Sequence, residues 1–182
     1  MALLENGRPV PDRWTFVPDG VPLPLDGPVI VTLSRLRREA EDLRGRPPGV
    51  LPPDVRPPSA RFLGVKLTSA ELAPEVAEFL DLLSLVAVEF PKFRDGRGFS
   101  TARELRERYG FRGEIRAVGH TLPDQYRFLL RCGFDTVEMP DDRDPAAWAA
   151  ALEGIGIAYQ PAMDAAAPVS LLRRRLAAGG GA

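Results

Sequence analysis

Four charged residues near the carboxyl ends of apolar segments are the side chains best placed for chemistry. Each segment is short and rich in β-branched or aliphatic residues, which is typical of a buried strand. A buried parallel strand is normally apolar throughout, so a charge repeated in strand after strand needs a reason. The four residues are Lys66, Glu89, Arg116 and Glu138. They predict either an active site at the carboxyl mouth of a barrel-like sheet or a structural layer of mutual ion pairs.

The loop after Glu89 combines cations with glycines. Glycines let backbone N–H groups approach a ligand closely, and a helix predicted to begin near Ser100 adds the positive end of its dipole. The predicted anion-binding residues are Lys92, Arg94, Arg97, Gly98, Ser100 and Arg103. The loop lacks the GxxxxGK[ST] pattern of a P-loop and the third glycine of a dinucleotide fingerprint. The alternative is an exposed loop whose arginines pair with Asp95 and Glu104.

A second tier of candidates surrounds the only histidine. His120 follows a predicted strand, and Asp124 and Gln125 begin the next helix, with Asp124 explained as a capping residue. The only cysteine, Cys132, is predicted to be a buried packing residue. One cysteine and one histidine exclude an intrachain disulfide, a cysteine-based metal cluster and an iron–sulfur site. We therefore expect no bound metal and no resident cofactor.

Strands and helices alternate along most of the chain. Predicted strands are Val29–Leu33, Phe62–Leu67, Leu85–Phe90, Glu114–Val118, Thr136–Met139 and Ile157–Tyr159. Ser34, Pro74, Ser100, Thr121 and Asp144 mark predicted helix starts. This alternation predicts an α/β fold of repeated βα units with a mostly parallel sheet, arranged as a TIM-barrel-like half-barrel. An open, doubly wound three-layer sheet is the alternative.

Three regions are predicted. Residues 1–27 form a hairpin over residues 2–17, turning at Asn6-Gly7, and a turn-rich arm. Residues 28–162 form a single α/β domain with an extended Pro-rich loop at 46–60, and residues 163–182 form a flexible tail. Five or six strands cannot close an eight-stranded barrel. Because an open half-barrel exposes strand edges and apolar surface, we expect a homodimer or larger homo-oligomer.

Charge and hydropathy exclude some classes of partner. The 182 residues carry a net charge of −1, so no overall basic charge favours nucleic acid or an anionic membrane. No apolar run approaches the roughly 20 residues of a membrane span. The N-terminal residues lack the basic start and apolar middle of a signal peptide. We expect a cytoplasmic protein.

The block EFPKFRDGRGFSTARELRERYGFRGEIRAVGHTLPDQYRFLLRCGFDTVEM resembles the signature of the bacterial family known as domain of unknown function 934. The resemblance covers about residues 28–162 and is most specific from Glu89 to Glu138. The pattern FPKFxDGR falls on Phe90, Pro91, Lys92, Phe93, Asp95, Gly96 and Arg97. The pattern ELRAxGxxLxDQ falls on Glu114, Ile115, Arg116, Ala117, Gly119, Leu122, Asp124 and Gln125. Family members commonly have aspartate where this chain has His120, which argues against an essential catalytic histidine.

The resemblance implies a small cytoplasmic protein encoded beside assimilatory sulfite reductase, in a family often labelled as oxidoreductases. It supplies no established catalytic residue. One hypothesis is an accessory protein that binds a small anion or docks on sulfite reductase or its electron donor. The other is a half-barrel enzyme that uses Lys66, Glu89, Arg116 and Glu138 on a small phosphorylated or sulfonated metabolite.

Overall fold

The computed structural model describes residues 2–45, 62–140 and 143–153, together with residue 163. The predicted strand Ile157–Tyr159, the Pro-rich loop at 46–60 and the tail after residue 163 lie outside these residues. None of the helices within the described ranges is long and apolar enough to cross a membrane.

Eight strands and five helices make up the described chain. The strands are β1 (Ala2–Glu5), β2 (Arg8–Val10), β3 (Thr15–Phe16), β4 (Val29–Thr32), β5 (Leu63–Leu67), β6 (Leu85–Phe90), β7 (Glu114–Gly119) and β8 (Thr136–Met139). The helices are α1 (Leu33–Arg44), α2 (Ala73–Val76), α3 (Arg97–Glu107), α4 (Pro123–Arg131) and α5 (Pro145–Glu153).

All eight strands belong to one sheet in the order β2-β1-β8-β7-β6-β5-β4-β3. Strands β3 to β8 are parallel, and β1 pairs antiparallel with both β2 and β8. Each parallel strand lies next to the one that precedes it in the chain, so the strand order from β3 to β8 runs in one direction across the sheet. Every helix contributes buried side chains to the same core, which places the helices on one face of the sheet. This order confirms the half-barrel and excludes the doubly wound alternative, whose strand order reverses.

A short segment across the concave face fixes how strongly the sheet curls. Residues 11–14, which we call the strap, connect β2 at one edge of the sheet to β3 at the other. The path from Val10 to Thr15 spans at most about 18 Å of extended chain. Eight strands laid flat would measure about 34 Å across. The two edges must therefore approach each other, and the strap forms a chord across a curled sheet.

The strap lies against the face that carries no helices. Trp14 packs there on Ile30, Leu85, Ala87 and Val118. The N-terminal region thus fills part of the space that closing strands would occupy in a complete barrel. Both edge strands are also very short, with three residues in β2 and two in β3. Short edges offer little backbone for pairing with another chain, and the homo-oligomer stays a prediction.

The N-terminal hairpin is confirmed for β1 and β2 only. Asn6 and Gly7 have φ angles of 49° and 79°, as a type I′ turn requires. The predicted return arm was wrong beyond Val10, because Thr15 and Phe16 pair with β4 at the opposite edge. Proline and aspartate at positions 11 and 12 end β2 and begin the strap.

Three predicted helix starts are corrected by their hydrogen bonds. Thr32 Oγ1, not Ser34, accepts the N–H of Arg35, so Ser34 already lies in α1. Helix α3 begins at Arg97 and contains Ser100. Leu122, not Thr121, precedes α4, and Gln125 Oε1 accepts its N–H at 3.2 Å. The start of α5 is confirmed, because Asp144 Oδ1 accepts the N–H of Ala146 at 2.8 Å.

Candidate functional site at the carboxyl edge of the sheet

Strand β6 separates a packing face from a charged face. Val86, Val88 and Phe90 point into the core beneath the helices, while Leu85 and Ala87 belong to the concave face. Strand alternation places Glu89 on that concave face. Lys66, Arg116 and Glu138 share it, since register pairs Lys66 with Ala87 and Ala87 with Arg116, and Glu138 lies two residues beyond the partner of Arg116. The predicted common face of the four charges therefore exists.

These charges are arranged mainly as ion pairs. Lys66 Nζ lies 2.6 Å from Glu89 Oε1, and both side chains keep a little over a quarter of their surface exposed. Arg116 is only 1% exposed. Its Nη1 donates to Asp12 at 2.8 Å, and its Nε donates to Glu114 at 3.0 Å. Arg116 is thus buried between two carboxylates that keep 30% (Asp12) and 21% (Glu114) of their side-chain surface exposed, and the Lys66–Glu89 pair reaches solvent near the mouth.

Sequence reasoning missed two members of the Arg116 network that have clear roles. Asp12 comes from the strap, 104 residues away, and nothing local marks it as a partner. Glu114 also accepts a hydrogen bond from Thr136 Oγ1 at 2.6 Å. Glu114 is the first residue of β7, two residues before Arg116 on the same face. This two-residue spacing from Arg116 was the signal in the sequence that could have identified Glu114 as a partner.

Glu138 differs from the other three charges. Within the described residues no cation lies within ion-pair distance of its carboxylate. Burial raises the pKa of Glu138, while the nearby positive charges of Arg116 and Lys66 partly oppose that rise. A partly buried carboxyl group with a raised pKa near a Lys–Glu pair is the type of group that general acid–base chemistry uses.

Replacing Glu138 with glutamine should change how stability depends on pH. In the unfolded chain the Glu138 carboxyl group has its ordinary pKa of about 4.5. Above that pH the folded protein still holds a proton on Glu138 that the unfolded chain has released. The unfolded state then binds fewer protons, so the free energy of unfolding falls as pH rises above about 4.5. The Gln variant lacks this loss. Urea unfolding of both proteins at pH 5 and pH 8 measures this difference. From pH 5 to pH 8 the free energy of unfolding of the wild type should fall relative to that of the Gln variant.

An equivalent substitution at an exposed glutamate provides the control. Glu78→Gln removes the same charge from the surface between α2 and β6. Parallel stability–pH curves for the wild type and Glu138→Gln would contradict the raised pKa.

The loop between β6 and α3 is partly self-neutralised. Arg97 Nη2 and Nε donate to the two Asp95 carboxylate oxygens at 2.6 and 2.9 Å, and Nη2 also reaches Ser69 Oγ at 3.0 Å. These hydrogen bonds hold the pKa of Asp95 far below its usual range. The Asp95 carboxylate also accepts the first N–H of α3 at 3.3 Å. It therefore occupies the position that the sequence predicted for an external anion.

A comparable side-chain acceptor is found at the start of each of the five α-helices in the described chain. A side chain from the same part of the sequence accepts a backbone N–H at or just before the first turn. These acceptors are Thr32 for α1, Glu75 for α2, Asp95 for α3, Gln125 for α4 and Asp144 for α5. Each of these side chains satisfies one of the N–H groups that a helix start leaves unpaired, so the helix starts offer fewer free donors to a ligand than the sequence predicted.

Besides Arg97, three of the predicted anion-binding residues lie within α3. Gly98 is buried, and a Cβ there would come within 2.6 Å of the Phe90 ring, so its lack of a side chain serves packing. Ser100 is exposed on the helix. Arg103 Nε pairs with Glu107 at 2.9 Å, one turn further along.

Lys92 and Arg94 remain as the exposed cations of the loop. Neither lies within ion-pair distance of a carboxylate among the described residues. The guanidinium of Arg94 lies 5.3 Å from the centroid of the Phe93 ring. Gln125 Nε2 donates to the Phe93 carbonyl at 2.9 Å and ties the loop to α4. The loop thus presents two cations on a backbone held in place.

The second-tier residues border this loop. His120 is exposed, and the centroid of its ring lies 6.1 Å from that of the Phe93 ring. The backbone N–H of His120 donates to the backbone oxygen of Phe90 at 2.7 Å. Asp124 is exposed in the first turn of α4 and does not cap it, since Gln125 does. Gln125 therefore positions the loop, and His120 adds an exposed imidazole at its edge.

A separate cleft of about 920 Å³ opens at the amino ends of β7 and β8. The strap residues Arg13 and Trp14 line it together with Glu114 and Arg116. It lies at the end of the sheet opposite the basic loop. In barrel-like folds the carboxyl edge carries function and the amino edge carries stability, so we place the candidate site at the carboxyl edge. Among the described residues, no three His, Cys, Asp or Glu side chains are grouped to hold a metal ion.

Comparison with known families identifies the chain. A family model described as a bacterial protein of unknown function (DUF934) matches residues 64–170. The match leaves β1–β4 and α1 outside it and continues past Met163 into the predicted tail. A comparison with curated proteins finds no match. Because the family model matches more than half of the 182 residues, the chain belongs to the DUF934 family of bacterial proteins of unknown function.

Proposed function

We propose that this protein is a cytoplasmic accessory component of assimilatory sulfite reduction, and so of sulfate assimilation and cysteine biosynthesis. It recognises an anionic group through Lys92 and Arg94. The observation that carries the proposal is that these two cations are exposed, with no carboxylate partner among the described residues, on a loop that Gln125 holds at the carboxyl edge of the sheet. The resemblance of the FPKFxDGR block to its family supports the pathway. In this role, electrons for sulfite come from sulfite reductase or its electron donor.

Deleting the gene should prevent growth on sulfate or sulfite as sole sulfur source, and sulfide should restore it. Complementation with the double substitution Lys92→Ala/Arg94→Ala should fail, because the anionic group loses both cations. Arg103→Ala should complement, since Arg103 pairs with Glu107 on α3. Growth of the deletion strain on sulfate at the wild-type rate would exclude the role in sulfite reduction.

A second candidate function is an enzyme acting on a small phosphorylated or sulfonated metabolite. The observation that favours it is the solvent-reaching Lys66–Glu89 pair beside Glu138, whose pKa is raised by burial. Lys66 would hold the anionic group, and Glu138 would transfer the proton. The same complementation assay separates the candidates. Glu138→Gln should fail to complement if the protein is this enzyme, and it should complement if the protein is an accessory component.

A further inference from the structure

The basic loop adjoins a group of aromatic side chains on α3 and α4. We call Phe93, Phe99 and Phe128 the aromatic patch. Phe93 and Phe128 are 43% and 53% exposed, which is unusual for phenylalanine on a monomer. The Phe99 and Phe128 rings lie 4.8 Å apart, and Phe99 contacts the buried ring of Phe90 at 5.1 Å. The patch is therefore anchored to the core.

Gln125 connects the loop end of the patch to its helical end. It holds the Phe93 carbonyl, and Phe128 lies three residues further along α4, on the same side of the helix. Gln125 thus links the segment that carries Phe93 to the helix that carries Phe128. A rigid aromatic surface of this kind loses little side-chain entropy when a partner covers it.

The charges beside the patch favour an acidic occupant. Lys92 and Arg94 flank Phe93 in sequence and have no carboxylate partner among the described residues. Asp124, on the first turn of α4, is the acidic side chain nearest Gln125 in sequence. A tightly held free oxyanion needs several converging donors, whereas Asp95 already takes the donors of Arg97 and of the α3 start. Exposed rings beside Arg94 match instead the enrichment of aromatic residues and arginine at protein interfaces, and Lys92 adds a second positive charge at the border.

We propose that the aromatic patch, with Lys92 and Arg94 at its border, docks an acidic protein surface. Carboxylates of the partner pair with the two cations, and an apolar side chain of the partner packs between Phe93 and Phe128. This inference rests on the proposed function, because it identifies the anionic group recognised by the loop as part of a protein. Two cations and a net charge of −1 are too few to hold the phosphates of a nucleic acid.

The test is a calorimetric titration of the full chain into holo sulfite reductase, and separately into its electron donor, at 50 and 300 mM NaCl. Phe128→Ala should weaken binding about tenfold or more at both salt concentrations, because it removes an apolar anchor. Lys92→Ala/Arg94→Ala should weaken binding about tenfold or more at low salt and flatten the salt dependence. The wild type should not titrate with sulfite or inorganic phosphate in the same range.

Matched variants distinguish local docking from general effects. Arg8→Ala/Arg112→Ala removes two exposed positive charges elsewhere on the chain, and Leu25→Ala removes an aliphatic side chain that is 94% exposed. Both should bind like the wild type. Equal weakening by the two double substitutions would overturn the proposal, because attraction would then depend on net charge alone.

Three further results would also overturn it. One is no binding to either protein. Another is saturable binding of sulfite or phosphate that requires Lys92 and Arg94. The last is self-association, seen by light scattering, that Phe128→Ala abolishes, since a second copy of the chain would then cover the patch. Failure of the proposed function is distinguishable from these results. It would be seen as normal growth of the deletion strain on sulfate, whereas the docking proposal is tested by binding.

Discussion

Replacing Arg116 with alanine is expected to lower the free energy of unfolding by about 3–5 kcal/mol. The guanidinium is almost fully buried, and its removal leaves the carboxylates of Asp12 and Glu114 close together without their cation. Asp12 is also the polar anchor of the strap. The loss should therefore detach the strap from the concave face as well as weaken the sheet. Chemical denaturation measures the stability, and the fluorescence of Trp14 reports on the strap.

Two variants distinguish the loss of the Arg116 network from the general effect of replacing an arginine. Arg37→Ala breaks an exposed ion pair with Glu75 and should cost about 1 kcal/mol or less. Combining Arg116→Met with Asp12→Asn and Glu114→Gln removes the unpaired charges and should recover much of the loss. If Arg116→Ala proves no more harmful than Arg37→Ala, the network does not hold the strap.

Replacing Gly119 with alanine is expected to cost about 3 kcal/mol or more. Gly119 has φ = +90°, and a Cβ there would lie 2.7 Å from the backbone oxygen of Phe90. The strain of that backbone conformation and the steric clash each cost about 1–3 kcal/mol. The same oxygen accepts the N–H of His120, so the clash would also disturb the loop that begins at His120. Thermal and chemical unfolding measure the loss.

Gly27 provides a matched comparison. Its φ of +89° is nearly the same, but no atom lies within 4 Å of the Cβ position. Gly27→Ala should therefore cost only the strain, about 1 kcal/mol. The difference between the two variants isolates the contact with Phe90. Equal losses would mean that the strand end moves to admit the methyl group.

Sequence reasoning predicted much of the sheet because strand patterns are local. Alternation of apolar and charged residues gave the common face of Lys66, Glu89, Arg116 and Glu138 without knowledge of their neighbours. The order of βα units gave the parallel sheet and the half-barrel. The pairing of Arg97 with Asp95 was also open to prediction, as the alternative to an anion site, because only two residues separate them.

Helix starts were harder to predict because several residues compete for the same N–H groups. Ser34 and Ser100 are good capping residues by type, yet Thr32 and Asp95 were closer to the true first turns. In each case the strand or turn before the helix set the start. Gly98 was misinterpreted in a related way. The sequence predicted that it lets backbone N–H groups approach a ligand, whereas its missing side chain leaves space for the Phe90 ring.

The sequence by itself determined the alternating units, the face shared by the four charges, the basic character of the loop after Glu89 and the family to which the chain belongs. Only the tertiary structure decided that Arg116 is buried between two carboxylates and that Lys92 and Arg94 are the loop cations without a carboxylate partner among the described residues. Asp12 meets Arg116 across 104 residues, and Trp14 covers the concave face, because a strap of four residues joins opposite edges of the sheet. Such contacts depend on chain closure over the whole fold, and local periodicity carries no information about them.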